Sequence, residues 1–108
     1  MDWQAEWNSE LDAARAARAG GNEGRARVCA RRAAGIVIRE WLRRQGRPAA
    51  GASAYELLRD LSEREDLSAQ ARAAAVALTE RVDETFHLPR DADLIEMADQ
   101  LCRELLTE

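Results

Sequence analysis

Apolar residues in this sequence recur at helical spacing in five stretches, and no stretch shows the period of two that marks a half-buried strand. The longest runs from Asn22 to Gln45. Winding it at about 100° per residue gathers Ala26, Ala30, Ala33, Ala34, Val37 and Trp41 on one face. Cys29 and Ile36 lie on one flank, Ile38 and Leu42 toward the other. The one plainly polar sector carries Arg25, Arg32, Arg39 and Arg43, spaced seven, seven and four residues apart. A helix apolar nearly all round needs neighbours on several sides, so this one is expected at the centre of the fold. At ~1.5 Å per residue it would span roughly 36 Å.

The other stretches are shorter. Trp3, Trp7, Leu11 and Ala14 mark one face of a first helix over residues 2–19, which the Gly20-Gly21 pair ends, with Asn22 as N-cap of the next. Gly46 stops the long helix, and Arg47 to Ala52 form a linker. Ser53 and Glu56 make a capping box that opens a third helix with Tyr55, Leu57, Leu58 and Leu61. After a boundary at Leu67 and Ser68, the residues Ala71, Ala75, Leu78 and Val82 form the inner stripe of a fourth helix. That helix is expected to finish near Phe86 or His87, because Pro89 pushes Leu88 out of the α region. Asp91 or Asp93 then caps a fifth, with Leu94, Met97, Ala98, Leu101, Cys102 and Leu105 facing inward. The expected fold is all-α: residues 1–108 as a single domain, a compact antiparallel bundle of about five helices around the long second one.

Charge alters this picture little. The formal net charge is −4, but residues 1–47 hold ten Arg against six acids and residues 48–108 hold six against fourteen. Pairing between the halves accounts for the imbalance, and an RNA surface is the less favoured alternative. The arginine stripe is accordingly expected to meet acids of the fourth or fifth helix or of a second subunit, with phosphate binding as the other option. It lacks the interleaved aromatics of a single-strand binding groove. The absence of a signal-peptide core or a long uncharged apolar run predicts a cytoplasmic protein, not a membrane one. Cys29 and Cys102 sit in apolar stripes without companion ligands, which predicts reduced core thiols. One His and two separated Cys supply no metal-ligand set, and no phosphate loop follows a strand, so neither metal nor cofactor is expected.

The single histidine, His87, lies six residues after Arg81 in TERVDETFHLPRD. An arginine can hold a phosphodiester while a histidine titrating near neutrality takes the proton of a ribose 2′-hydroxyl, the basis of metal-independent RNA cleavage. The order of features, ARVCARRAAGIVIREWLRRQG, then YELLRDL, then FHLPRDADLIEMADQL, resembles the HEPN family of small all-α domains from about residue 10 to 106. The resemblance implies a homodimer. It also implies, for ribonuclease members, catalysis by residues matching Arg81 and His87 and, for several members, a nucleotidyltransferase partner in a toxin–antitoxin pair. Active members commonly carry a polar residue after the motif arginine, where this chain has Val82 on its inner stripe. The expectation is therefore a noncatalytic HEPN-like module that self-associates or docks to a partner, with a metal-independent ribonuclease as the alternative.

Overall fold

The computed structural model of the protein describes residues 2–47, 52–79 and 94–106, and these form an all-α bundle. Helix α1 spans Trp3–Ala19, α2 Glu23–Arg44, α3 Ala54–Ser62, α4 Ala69–Thr79 and α5 Leu94–Leu106. The starts of α1 to α4 have polar caps. The Asp2 carboxylate accepts from the N–H groups of Gln4 and Ala5, Asn22 from that of Arg25, Ser53 from that of Glu56 and Ser68 from that of Ala71. Glu56 completes its capping box through the Ser53 hydroxyl at 3.3 Å rather than through the backbone.

Glycine closes the two longest helices in the same way. After α1, the N–H of Asn22 donates to the Ala17 carbonyl and that of Gly21 to the Arg18 carbonyl, with Gly21 at φ 80°. After α2, Arg47 donates to Leu42 and Gly46 to Arg43, with Gly46 at φ 73°. Both are Schellman ends, which need a left-handed residue that glycine supplies without a Cβ clash.

Side-chain contacts give the directions of the helices. Arg18 pairs with Glu23 at 3.2 Å and Arg44 lies over the Trp3 ring at 5.7 Å, so α1 and α2 run antiparallel. Ser68 donates to Glu104 and Gln70 to Gln100, which sets α4 antiparallel to α5. Helix α2 packs against all four others, and α3 bridges α2 and α4. The radius of gyration, 13.3 Å, is that of a compact chain of this length, about 13 Å.

The core is the face read from the sequence. Ala26, Ala30, Ala33, Ala34, Val37, Ile38 and Trp41 of α2 are buried together with Trp7, Leu11, Leu58, Leu61, Leu78, Leu101 and Leu105. Burying each large aliphatic contributes about 1.5–3 kcal/mol. The two tryptophans of α1 act as packing groups, their ring centroids 6.5 Å apart. Cys29 and Cys102 are buried free thiols, as expected. The expected end of the fourth helix, with Arg81, Val82 and His87, and the Asp91 or Asp93 cap lie outside the described residues.

At Gly35, α3 approaches α2 closely. A Cβ built on it would stand 2.8 Å from the Ala54 Cβ, closer than two carbons can sit, and a tight 3.3 Å from the Ala54 Cα. Gly35→Ala should therefore destabilise the protein by about 1–3 kcal/mol in chemical denaturation. Adding Ala54→Gly should return part of that loss, whereas a purely local helix effect would leave the two changes additive.

Candidate partner-binding face

All four residues of the arginine stripe are exposed on α2, in the sector that faces away from the core. They span about 27 Å of the helix at ~1.5 Å per residue. Their surroundings differ. Arg43 grips Glu40 with both nitrogens, at 2.9 and 2.6 Å, while Arg44 reaches the same carboxylate at 3.2 Å. These hydrogen bonds, that of Arg43 foremost, hold the Glu40 carboxyl down at about 2 and raise the Arg43 guanidinium above its ordinary value. Arg39 donates to the Ala52 carbonyl at 3.0 Å, which ties the approach to α3 onto α2. Among the described residues, the guanidinium groups of Arg25 and Arg32 have neither a hydrogen bond nor an ion pair.

Among the described residues the stripe does not pair with acids of α5, and the acids of the expected fourth helix, Glu80, Asp83 and Glu84, lie outside the described residues. The acids of α5 are engaged elsewhere: Asp99 holds Arg103 one turn along the same helix, Glu104 accepts from Ser68, and Glu96 accepts from Gln100. The sector of α2 that meets other helices is the apolar one.

Beside Arg32 and Arg39 an open groove of about 450 Å³ runs between α2 and the start of α3. Val28, Ile36, Ala54 and Tyr55 form its apolar part, and Arg31, Arg32 and Arg39 its cationic part, with Glu10 and Ser53 also on its lining. Val28 and Tyr55 are large apolar side chains left 41% and 36% exposed, which marks this as surface and not core. Arg31 fixes the groove wall. Its Nε donates to the Leu78 carbonyl of α4 at 3.0 Å, and its guanidinium lies 5.8 Å from the centre of the Tyr55 ring. One side chain thereby joins α2, α3 and α4.

Sequence reasoning did not single out Arg31, Val28 or the groove. The available signal was an apolar Val28 three residues after Arg25 and four before Arg32, inside the polar sector. It also missed Arg27, whose side chain is buried at 6% exposure within α2. Arg81 and His87 lie outside the described residues.

Two further features bear on chemistry. A cleft of about 370 Å³ between α4 and α5, lined by Ala71, Ala74, Met97 and Leu101, is bordered by the Gln70–Gln100 hydrogen bond. Cys102 is pushed up to about 12 by burial first and by Asp99 second; the indole N–H of Trp7, which has no oxygen acceptor, is its polar neighbour. Such a thiol is a packing group and not a nucleophile. Among the described residues no cluster of three or more His, Cys, Asp or Glu is placed to hold a metal ion, and no helix is long and apolar enough to cross a membrane.

No family model, curated protein or solved structure matches the chain.

The carboxyl of Glu40 generates a pH prediction. Its folded value lies below the ordinary 4.5, so the stability it contributes is present above about 4.5 and is lost as pH falls toward about 2. Glu40→Gln should lower the thermal midpoint at pH 6, and the gap from wild type should narrow steadily on acidification to pH ~2.5. A gap of constant size across that range would assign the effect to packing.

Proposed function

We propose that this chain is a noncatalytic, HEPN-like helical interaction module that associates with another protein through the outward face of α2. The observation that carries the reading is the surface itself: Arg25 and Arg32, exposed and without a partner among the described residues, beside exposed Val28 and Tyr55. Leaving an ordered apolar and cationic strip in water brings a monomer no stability, whereas contact with a complementary surface does. The helix order supports the HEPN-like assignment. On this reading the module works in the cytoplasm, as a homodimer or beside a nucleotidyltransferase-type partner of the toxin–antitoxin kind. It requires neither metal nor cofactor, and RNA is the less favoured ligand.

The test combines solution mass with RNA cleavage in the absence of added metal. The expected result is a species of about twice the 12.0 kDa chain, or a monomer that binds a second protein, with no cleavage by wild type or by His87→Ala. Cleavage by wild type that disappears in His87→Ala and Arg81→Ala would overturn the noncatalytic reading and establish the ribonuclease alternative.

A further inference from the structure

Resting on that reading, we infer that the groove between α2 and α3 is a docking site for an acidic peptide segment of a partner protein, one that places carboxylates on Arg32 and Arg39 and an apolar side chain against Val28, Ile36 and Tyr55. Three properties of the groove specify this occupant.

The first is charge. Arg32 is exposed with no partner among the described residues, and Arg39 spends one nitrogen on the Ala52 carbonyl while its other nitrogens remain donors. A guanidinium presents a planar fork that matches a carboxylate bidentately. Seven residues separate the two along α2, roughly 10 Å of rise. That distance equals about three residues of an extended chain or two turns of a helix. A segment with two acids at either spacing could engage both.

The second is the apolar floor. Val28 on α2 and Tyr55 on the first turn of α3 are the exposed large apolar side chains at this site, and they line it together with the cations. A phosphate backbone offers nothing to such a floor, whereas a leucine or phenylalanine flanked by acids fits it. Glu10 on the lining adds a negative charge that disfavours a polyanion and leaves a segment with spaced carboxylates room to avoid it.

The third is rigidity. Tyr55 sits in the first turn of α3, whose start is fixed by the Ser53 cap, by the Gly35–Ala54 approach and by the Arg31 stack. The Arg39 bond to Ala52 holds the strand of chain leading into it. A preformed groove loses little conformational freedom when it is filled.

The experiment is selection of a phage-displayed random dodecapeptide library on the full chain, followed by fluorescence polarisation with the selected peptides. Sequences enriched in Asp and Glu around one large apolar residue are expected. Their binding should weaken roughly tenfold or more in Arg32→Glu and in the Arg32→Glu/Arg39→Glu double variant, and about as much in Tyr55→Ala. Changing one peptide acid to Arg should recover binding to Arg32→Glu. Circular dichroism of the variants establishes that they remain folded; Arg32→Glu alone suffices if loss of the Arg39–Ala52 bond unfolds the double variant. Enrichment of neutral or basic sequences overturns the proposal, as does acidic-peptide binding that survives Arg32→Glu. It is also overturned if a single-stranded oligoribonucleotide displaces the peptides and binds more tightly, or if Arg32→Glu turns a dimer into a monomer, since the occupant is then RNA or a second copy. Each of these outcomes is separable from the mass and cleavage test: a protein that forms a dimer unaffected by Arg32→Glu and selects no acidic peptide remains an interaction module with a different docking surface.

Discussion

Helix α2 touches each of the other four helices, and a single helix can do so only if several of its sides are thin enough for backbones to come close. Alanine at 26, 30, 33 and 34 meets that need on the core side, and Gly35 meets it where α3 crosses. Close packing of this kind is unforgiving, because a core near crystal density has no slack for an added methyl. The larger residues that fill the remaining space, Val37, Ile38 and Trp41, lie toward the C-terminal half of α2. They share one continuous core with Trp7 of α1 and with Leu58 and Leu61 of α3.

The same constraint produces the candidate site. With the small residues turned to the neighbouring helices, Arg25, Arg32, Arg39 and Arg43 of α2 are left on the outside, where long cationic side chains are solvated without penalty. Because α3 is drawn onto Gly35, its first turn stands beside α2 and carries Tyr55 to the edge of the arginine stripe. Arg31 then spans the junction, stacking on Tyr55 and donating to the Leu78 carbonyl. The groove is thus a consequence of how α3 meets α2, and a change that lifts α3 away would remove it without touching a lining residue.

Much of the fold was legible because helix ends and apolar stripes are local signals. Asn22, Ser53, Gly20-Gly21 and Gly46 act where the sequence places them, and the inward residues of α1, α2 and α5 follow from spacing alone. What escaped depends on residues distant in sequence. Nothing around Gly35 reveals that Ala54 will lie against it. Arg27 and Arg31 count as polar in any periodic pattern, yet one is buried and the other braces three helices. The Arg43–Glu40 pair, three residues apart on one helix, was a local signal available to sequence reasoning, and it shows that arginines of one stripe do not share one role. The stripe itself was legible as a face, whereas the apolar floor beside it needed α3 in place. Arg81 and His87 rest on the family resemblance, since they lie outside the described residues.

A chain of net charge −4 with a cationic groove raises the question of which charge a ligand encounters. At physiological ionic strength the screening length is about 8 Å, shorter than the roughly 10 Å that separates Arg32 from Arg39 along α2. A bound segment therefore responds to each guanidinium and to Glu10 individually, while acids farther off are largely screened. Net charge acts at longer range, where it slows the approach of a polyanion such as RNA more than that of a short acidic peptide. Local and global charge thus select in the same direction: both favour a ligand whose few carboxylates are placed on these arginines over one that is uniformly anionic. Discrimination of this kind comes from the position of charge on a rigid apolar groove, which lets even a small domain be specific for one ligand.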